Sequence, residues 1–214
     1  LWLLRDRMGI KPLYYSILED RIIFASEIKA ILEDPEQKRS VDEEAFFHYF
    51  TYLFVPAPLT LFEGIKKLPN ATRLCIKKDG SIIEDRYWDA LDNLQDMSES
   101  SEKNITKKLL GRLKSSIKDR SESDVPVGVF LSGGIDSSLI VALMQQNSNQ
   151  PVHTFSIGFT ESDYDESRYA RSVANHLGTK HTELIVSPTD LLDVLPILPN
   201  IYDEPFADSS QTPT

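Results

Sequence analysis

Residues 124–143 read DVPVGVFLSGGIDSSLIVAL, and the predicted organisation of the chain follows from them. The apolar run Val127 to Leu131 is bounded by turn-forming residues and predicts a buried strand. The run Leu139 to Met144 contains no Gly or Pro and predicts a helix. Between the two runs, Gly133 and Gly134 allow a tight turn and a close approach of the backbone to a ligand. Because the first N–H groups of a helix lack partners within it, this turn is predicted to bind an anion.

Phosphate is the anion that such a turn favours, but the loop lacks the lysine of the common phosphate-binding loop. Ile135 follows Gly134 where that loop has its lysine. Asp136 places a carboxylate beside the anion instead. Two unit charges about 4 Å apart repel by roughly 4 kcal/mol at an effective dielectric constant near 20, so a hard cation such as Mg²⁺ is expected between them. The alternative is that Asp136 only caps the helix.

The string S-G-G-x-D-S-S at residues 132–138, called the SGG loop below, resembles the pyrophosphate-binding loop of the ATP pyrophosphatases. These enzymes cleave ATP between its α and β phosphates. The resemblance implies ATP and Mg²⁺ as cofactors, with Asp136 holding the metal through the pyrophosphate. The ATP-binding positions that it implies are Phe130, Leu131, Ser132, Gly133, Gly134, Asp136, Ser137, Ser138 and Ile157.

Strand and helix patterns alternate after the SGG loop. Residues 152–159 and 180–186 predict strands, residues 164–177 predict a helix that stops at Gly178, and Ser187-Pro188 begins another helix. This alternation predicts a doubly wound parallel α/β sheet, in which ligands bind beyond the carboxyl ends of the strands.

A second motif lies at the start of the chain. RDRMGIKPLYY at residues 5–15, followed by FASEIKAIL at 24–32, resembles the later part of a class II glutamine amidotransferase domain. The fold implied is that of the N-terminal-nucleophile hydrolases, an αββα sandwich, and Asp6 is the position implied to bind the α-amino group of glutamine. Arg5 and Arg7 are expected to favour the ionised carboxylate that an ammonium group requires. The alternative is that Asp6 only organises the turn before Gly9.

Other patterns in the first ninety residues predict structure rather than chemistry. Ser40 to Glu43 predict a capping box, and the helix that follows is predicted to pack an apolar stripe into the core: Ala45, Phe46, Tyr49, Phe50 and Leu53. Residues 61–88 predict a hairpin arrangement with turns at Asn70 and Asp79-Gly80.

The polar, acidic and serine-rich residues 91–104 predict a linker between two domains. We expect an α+β domain at residues 1–90 and an α/β domain at residues 105–214, the latter opening with an amphipathic helix at 105–117. The net charge of −10 argues against nucleic acid as a partner. No apolar run reaches the roughly 20 residues of a membrane span. The single Cys75 allows no internal disulfide, so a cytoplasmic protein without membrane partners is expected.

The order of the two motifs resembles that of the glutamine-hydrolysing asparagine synthetases. This family converts aspartate, glutamine and ATP into asparagine, glutamate, AMP and pyrophosphate through β-aspartyl-AMP. The resemblance implies small-molecule substrates (glutamine, ATP, and aspartate or another carboxylate) and is compatible with a homodimer. Residues 203–210 resemble the family's D-E-P-x-A-D-x-S segment, which implies that Glu204 and Asp208 line the acceptor site; a plain acidic loop is the alternative.

Two features of the family lie outside this sequence: the N-terminal cysteine nucleophile and a later loop of the pattern S-G-x-G-x-D-E. We therefore expect an internal fragment that does not catalyse the full reaction by itself. Two other functions stay open. One is a related ligase that acts on another carboxylate, such as a sugar acid of a surface polysaccharide, and the other is a non-catalytic nucleotide-binding module.

Overall fold

The computed structural model describes residues 1–94, 101–161 and 165–208. It is a mixed α/β structure with three small sheets, divided into two compact units. The described residues of the first unit are 1–94 and 196–208, and those of the second are 101–161 and 165–195. Within these ranges, no helix has the length and apolar character needed to cross a membrane.

The first unit contains two three-stranded antiparallel sheets. Their strands are β1 (Trp2–Leu4), β2 (Tyr14–Ile17), β3 (Ile22–Ala25), β4 (Ile65–Lys67), β5 (Thr72–Ile76) and β6 (Ile82–Arg86). One sheet has the order β1-β5-β6 and the other β3-β2-β4. The predicted hairpin at Asp79-Gly80 is confirmed, since β5 and β6 pair across it. The prediction of a hairpin at Asn70 is wrong, because β4 pairs with β2 in the other sheet.

The two faces of β2 belong to different apolar clusters. Tyr15 packs with Leu3, Leu68 and Leu74, a cluster that contains side chains of both sheets. Tyr14 lies against the opposite cluster, in which helix α1 (Ile28–Leu32) packs on the β3-β2-β4 sheet through Ile28, Ile31 and Ile65. The alternation of side chains along a strand thus gives a helix–sheet–sheet layering. The complete αββα sandwich stays a prediction.

Helix α2 (Glu43–Tyr52) differs from its prediction in both its cap and its buried face. The cap is Asp42, whose carboxylate accepts the Ala45 N–H at 2.9 Å, whereas Ser40 donates its hydroxyl to Glu63 instead. Of the predicted core stripe only Ala45 is buried, and Phe50 is 66% exposed. The core prediction is therefore wrong for this stripe: the rest of the described chain does not cover it.

The second unit alternates helices and parallel strands. Its elements are α3 (Glu102–Ser121), β7 (Gly128–Phe130), α4 (Ile135–Asn147), β8 (His153–Phe159), α5 (Ser167–Leu177), β9 (Lys180–Val186) and α6 (Pro188–Val194). The parallel sheet has the order β7-β8-β9. These elements confirm the predicted strands and helices, including the Gly178 stop and the Ser187 cap, although the predicted helix start at Tyr164 lies outside the described residues.

The core of this unit lies where α4 and α5 meet the end of β7. Leu131, Val141, Ala170 and Ala174 form it, each at most 1% exposed. The strand predicted within Val127 to Leu131 is confirmed as β7, but its predicted burial is wrong except at Leu131. Phe130 is 69% exposed, and its register partner Phe155 on the central strand β8 is also exposed, so the described chain leaves this face of the sheet uncovered. The doubly wound arrangement stays a prediction.

Two connections complete the chain. A 3₁₀ turn, Ala90–Asn93, capped by Asp89, spans the start of the predicted linker. Residues 95–100 of the linker lie outside the described ranges, and residues 102–104 already belong to α3. Residues 196–208, called the return segment below, belong to the first unit and include the short helix α7 (Leu198–Ile201). The segment is tied there by a hydrogen bond from Ala207 N to the Leu53 carbonyl at 3.0 Å.

Candidate functional site

The SGG loop connects the carboxyl end of β7 to α4, and Gly133 fixes its path. Gly133 has φ +82°, a conformation that residues with a Cβ adopt only at a cost. A Cβ added there would lie 2.6 Å from both the Ala170 N and the Tyr169 carbonyl carbon of α5. Position 133 therefore excludes any larger residue for two independent reasons, and the loop lies directly against the start of α5.

The serines of the loop hold it in shape. The hydroxyls of Ser132 and Ser137 lie 2.9 Å apart, and the Ser137 oxygen also accepts the Ser132 N–H at 3.3 Å. The Ser132 oxygen accepts the Gly134 N–H at 3.3 Å. Ser138 Oγ is buried and has no hydrogen-bond partner among the described residues. The loop is thus ordered by its own side chains and keeps one hydroxyl unsatisfied in the first turn of α4.

The first turn of α4 carries Asp136 with Ile135, and both side chains are exposed. Gly134 is the N-cap of this 13-residue helix, and a glycine has no side chain to accept the first N–H groups. The first N–H groups and the positive end of the helix dipole therefore face the loop. These groups fit a phosphate, and the Asp136 carboxylate fits a divalent cation beside it.

The other sequence-predicted ATP positions lie on β7 and β8. Phe130 ends β7 with an exposed ring, whereas the Leu131 side chain is in the core and its N–H donates to the Phe155 carbonyl at 2.8 Å. Ile157 is half-buried and lies two residues before the end of β8. Residues 130–138 thus form one continuous segment at the carboxyl end of β7, and Ile157 lies near the same end of the neighbouring strand.

The end of β8 is held by Asp165. Its carboxylate accepts the N–H and the hydroxyl of Ser167, both at 3.0 Å, and the Phe159 N–H at 3.3 Å. Gly158 leaves room for it, since a Cβ there would lie 2.8 Å from Asp165 Oδ1. The Ser167 donors, followed by the Phe159 N–H, lower the pKa of Asp165 below its usual value. Sequence reasoning missed this residue; its place just before a helix was the available signal.

In the first unit, Asp6 organises the turn that follows β1. Its Oδ1 accepts the N–H groups of Met8 and Ile10, at 3.1 and 3.0 Å, and its Oδ2 accepts that of Lys11 at 2.9 Å. These backbone donors, Lys11 first, lower the pKa of Asp6. The geometry shows the turn-organising role that the sequence left as an alternative. The glutamine-binding role of Asp6 stays a prediction.

Arg5 supports the same turn. Its guanidinium donates to the carbonyls of Gly9, Lys11 and Leu68 at 2.9, 3.1 and 2.7 Å. We expected Arg5 to stabilise the Asp6 carboxylate. Instead, its hydrogen bonds connect the turn to Leu68, just after β4.

Of the predicted acceptor residues, Glu204 contacts the first unit. Its Oε2 lies 2.7 Å from Lys67 Nζ on β4, and its Oε1 accepts the Leu61 N–H at 2.6 Å. The neighbouring Asp203 pairs with Lys29 at the start of α1. Asp208 is exposed, while Ser209 and Ser210 lie outside the described residues. Sequence reasoning missed both lysines, because ion pairs between residues so far apart in the chain leave no local pattern.

A cavity of about 730 Å³ lies in the first unit beside these groups. The turn after β1 contributes Arg5 and Ile10 to its wall, and the return segment contributes Asp203 and Glu204. Tyr14 also lines it. Burial, and then the negative charge of Glu204, raise the pKa of the Tyr14 phenol. The cavity thus combines apolar walls with a phenol and paired charges, a composition typical of small-molecule sites.

Residues 1–88 match the family model of a glutamine amidotransferase domain, and residues 108–214 match that of asparagine synthase. The chain therefore joins a glutamine amidotransferase domain to a synthase domain with an SGG loop. It belongs to the asparagine synthase family of enzymes, as the order of the motifs predicted.

Individual relatives agree with this assignment. The chain is 35% identical to asparagine synthetase (glutamine-hydrolysing) 1 of Bacillus subtilis over 98% of its own length and 32% of that protein. It is 36% identical to a putative asparagine synthetase (glutamine-hydrolysing) 2 of Methanocaldococcus jannaschii, again over 98% of the chain and 41% of the relative. An amidase of Gibberella zeae is 31% identical over 81% of the chain and 28% of the relative. The chain thus spans about a third of the length of these relatives.

Proposed function

We propose that the full-length protein is a glutamine-hydrolysing asparagine synthetase. It converts aspartate, glutamine and ATP into asparagine, glutamate, AMP and pyrophosphate. Ammonia is released from glutamine by the first domain. In the second, the aspartate β-carboxylate attacks the α-phosphorus of ATP and displaces pyrophosphate, and ammonia then attacks the acyl carbon of β-aspartyl-AMP and displaces AMP. Support comes from the family membership and from the names of the two asparagine synthetase relatives.

The observation that carries the proposal is the geometry of the SGG loop. Gly133 brings the backbone against α5 with no room for a side chain, and the dipole of α4 favours negative charge at Gly134. In the proposed role, the N–H groups of the first turn of α4 and the hydroxyls of Ser132 and Ser138 bind the pyrophosphate oxygens. Asp136 would hold a metal ion, and that ion would supply positive charge to balance the charge of the pyrophosphate.

Identification of the products of ATP tests the proposal. The full-length protein is incubated with ATP, Mg²⁺, aspartate and amide-¹⁵N glutamine, and the nucleotides and amino acids are separated. We expect AMP, pyrophosphate and ¹⁵N-labelled asparagine in equal amounts. Formation of ADP and phosphate as the only nucleotide products contradicts the proposal, as does release of glutamate without any amide product.

A second candidate function is amide formation on a carboxylate other than aspartate. Glu204, in the segment that resembles the acceptor site, is engaged by Lys67 and the Leu61 N–H. The resemblance at this residue therefore does not by itself specify aspartate, and one relative is named an amidase. Pyrophosphate release by the full-length protein, measured against amino-acid, sugar-acid and peptide carboxylates, separates the two: aspartate is expected to give the highest kcat/KM if the first proposal holds.

A further inference from the structure

The return segment is held on the first unit by a nearly buried ion pair. Glu204 and Lys67 have side chains that are only 12% and 15% exposed, and their charged atoms lie 2.7 Å apart. Each charge has a second partner. Glu204 Oε1 accepts the Leu61 N–H at 2.6 Å, and Lys67 Nζ donates to the Val55 carbonyl at 2.6 Å. Pairing combined with additional hydrogen bonds is the condition under which charges are tolerated away from water.

The adjacent carboxylate repeats this arrangement at the start of α1. Asp203 Oδ2 accepts the Lys29 N–H at 3.2 Å, and Oδ1 lies 3.6 Å from Lys29 Nζ. The Lys29 ammonium also donates to the Asn200 carbonyl of the return segment at 2.9 Å. The Lys29 side chain is 44% exposed, so screening by solvent makes this pair the weaker of the two.

These contacts leave Glu204 little capacity to bind a substrate. One of its oxygens is directed to an ammonium and the other to a backbone N–H, and a substrate carboxylate would be repelled by it. Moving the Glu204 carboxylate away to bind a substrate would also cost free energy, because it would leave the nearly buried Lys67 ammonium without its counter-charge.

We infer that Glu204 and Asp203 are positioning residues that fasten the return segment to the first unit through Lys67 and Lys29. The kinetic consequence of this fastening rests on the proposed function. If Asp208 lines the acceptor site, then lysines of the amidotransferase domain hold the segment that leads to Asp208 in the position that acceptor binding requires. Lys67 lies within the residues that match that domain. We therefore expect any effect of Lys67 on the KM for the acceptor to act through its contact with Glu204.

A double-mutant cycle in the full-length protein tests this inference. The variants are Lys67→Met, Glu204→Gln and their combination, with Lys66→Met, at an exposed position of the same strand, as the matched control. Lys67→Met is expected to raise the KM for the acceptor about tenfold with kcat changed less than about threefold, the pattern of lost positioning before the chemical step. The double variant should be no worse than the more affected single variant, because both changes remove one interaction. The control should behave as wild type.

Equal acceptor KM values for Lys67→Met and wild type overturn the inference. The inference is also overturned if the rise in acceptor KM in the double variant equals the product of the rises in Glu204→Gln and Lys67→Met. Such independent effects would mean that Glu204 contacts the acceptor itself. If Lys67→Met does not fold, the KM for the acceptor is measured in Lys29→Met, which removes the more exposed ion pair with Asp203. A two- to threefold rise in acceptor KM, of the order expected for loss of a partly exposed ion pair, supports the inference, and no rise overturns it.

Amide hydrogen exchange separates this inference from the proposed function. In the return segment, the Ala207 N–H should exchange about tenfold or more faster in Lys67→Met than in wild type or Lys66→Met, because its local opening becomes easier. Faster exchange in a protein that shows no acceptor-dependent pyrophosphate release means that the fastening is real and the proposed function is wrong. Unchanged exchange in a protein with acceptor-dependent activity overturns the fastening alone.

Discussion

Gly133 and Tyr169 approach so closely that a Cβ at position 133 would lie 2.6 Å from the Cβ of Tyr169. This contact places the SGG loop against the first turn of α5, and it joins the candidate pyrophosphate site to the core formed by Leu131, Val141, Ala170 and Ala174. The loop is therefore held by packing as well as by its own hydrogen bonds.

Gly133→Ala is expected to destabilise the protein and to abolish ATP-dependent activity. The positive φ costs an alanine about 1–2 kcal/mol, and the overlap with the backbone of α5 adds roughly 1–3 kcal/mol. Urea denaturation followed by circular dichroism measures the loss. Two variants serve as controls. Gly134→Ala lies at a residue with an ordinary φ of −70°. Gly80→Ala lies at a residue with φ +82° but open space around the added Cβ, so it measures the cost of the positive φ alone. If Gly133→Ala costs no more than Gly80→Ala, the contact with α5 is unimportant.

Asp136→Asn is expected to lower pyrophosphate release without a comparable loss of stability. Asp136 lies in the first turn of α4, after the Gly134 N-cap, so Asn is expected to cost only about 0.3–1 kcal/mol of interaction with the helix dipole. Asn also removes the charge proposed to hold the metal ion. A fall in turnover of about ten- to several-hundred-fold is expected, since about 1.4 kcal/mol of lost transition-state stabilisation is tenfold in rate. Pyrophosphate release is measured across a Mg²⁺ titration, with thermal melts and glutamine hydrolysis alongside. Near-normal turnover with unchanged Mg²⁺ dependence would leave Asp136 only its favourable interaction with the dipole of α4.

Asp6→Ala is expected to raise the glutamine requirement of the full-length protein while synthesis from added ammonia stays nearly intact. The variant loses the acceptor of three N–H groups in the turn after β1, and both of its proposed roles concern the amidotransferase domain. Initial rates are compared with glutamine and with ammonium chloride as nitrogen donor. Equal loss of both activities contradicts the assignment. Asp79→Ala, which loses a turn-stabilising carboxylate in the β5–β6 hairpin, is the matched control for loss of a turn.

Local sequence patterns predicted most of the elements, because their signals lie within a few residues. The strand, glycine turn and helix around residues 124–143 and the caps at Gly178 and Ser187 are examples. The hydrogen bonds of Asp6 are equally local, and the sequence allowed for them. Local patterns do not show which distant part of the chain packs against a given face or side chain. Three of the results depend on such distant contacts.

The first is β7, predicted to be buried and found at the edge of the described sheet, with Phe130 exposed. The second is α2, whose apolar stripe has the spacing of a core face, yet in the described chain only Ala45 of it is buried. The third is Glu204, whose ion pair with Lys67 joins residues far apart in the sequence. A period of hydrophobic residues identifies a face but does not say what covers it.

The last prediction concerns Asp165 and the acid side of the stability profile. Ser167 and the Phe159 N–H depress the pKa of Asp165 in the folded state, so its contribution to stability is present above the unfolded-state pKa and is lost as the pH falls through the folded-state value. Asp165→Asn should therefore be less stable than wild type at pH 7, and the difference in urea midpoint should shrink as the pH falls from about 5 towards 3, around the ordinary Asp pKa near 3.9. Glu122→Gln, an exposed acid just beyond α3, is the control. A difference that stays constant with pH would show that Asp165 acts through shape and hydrogen bonding, without its charge.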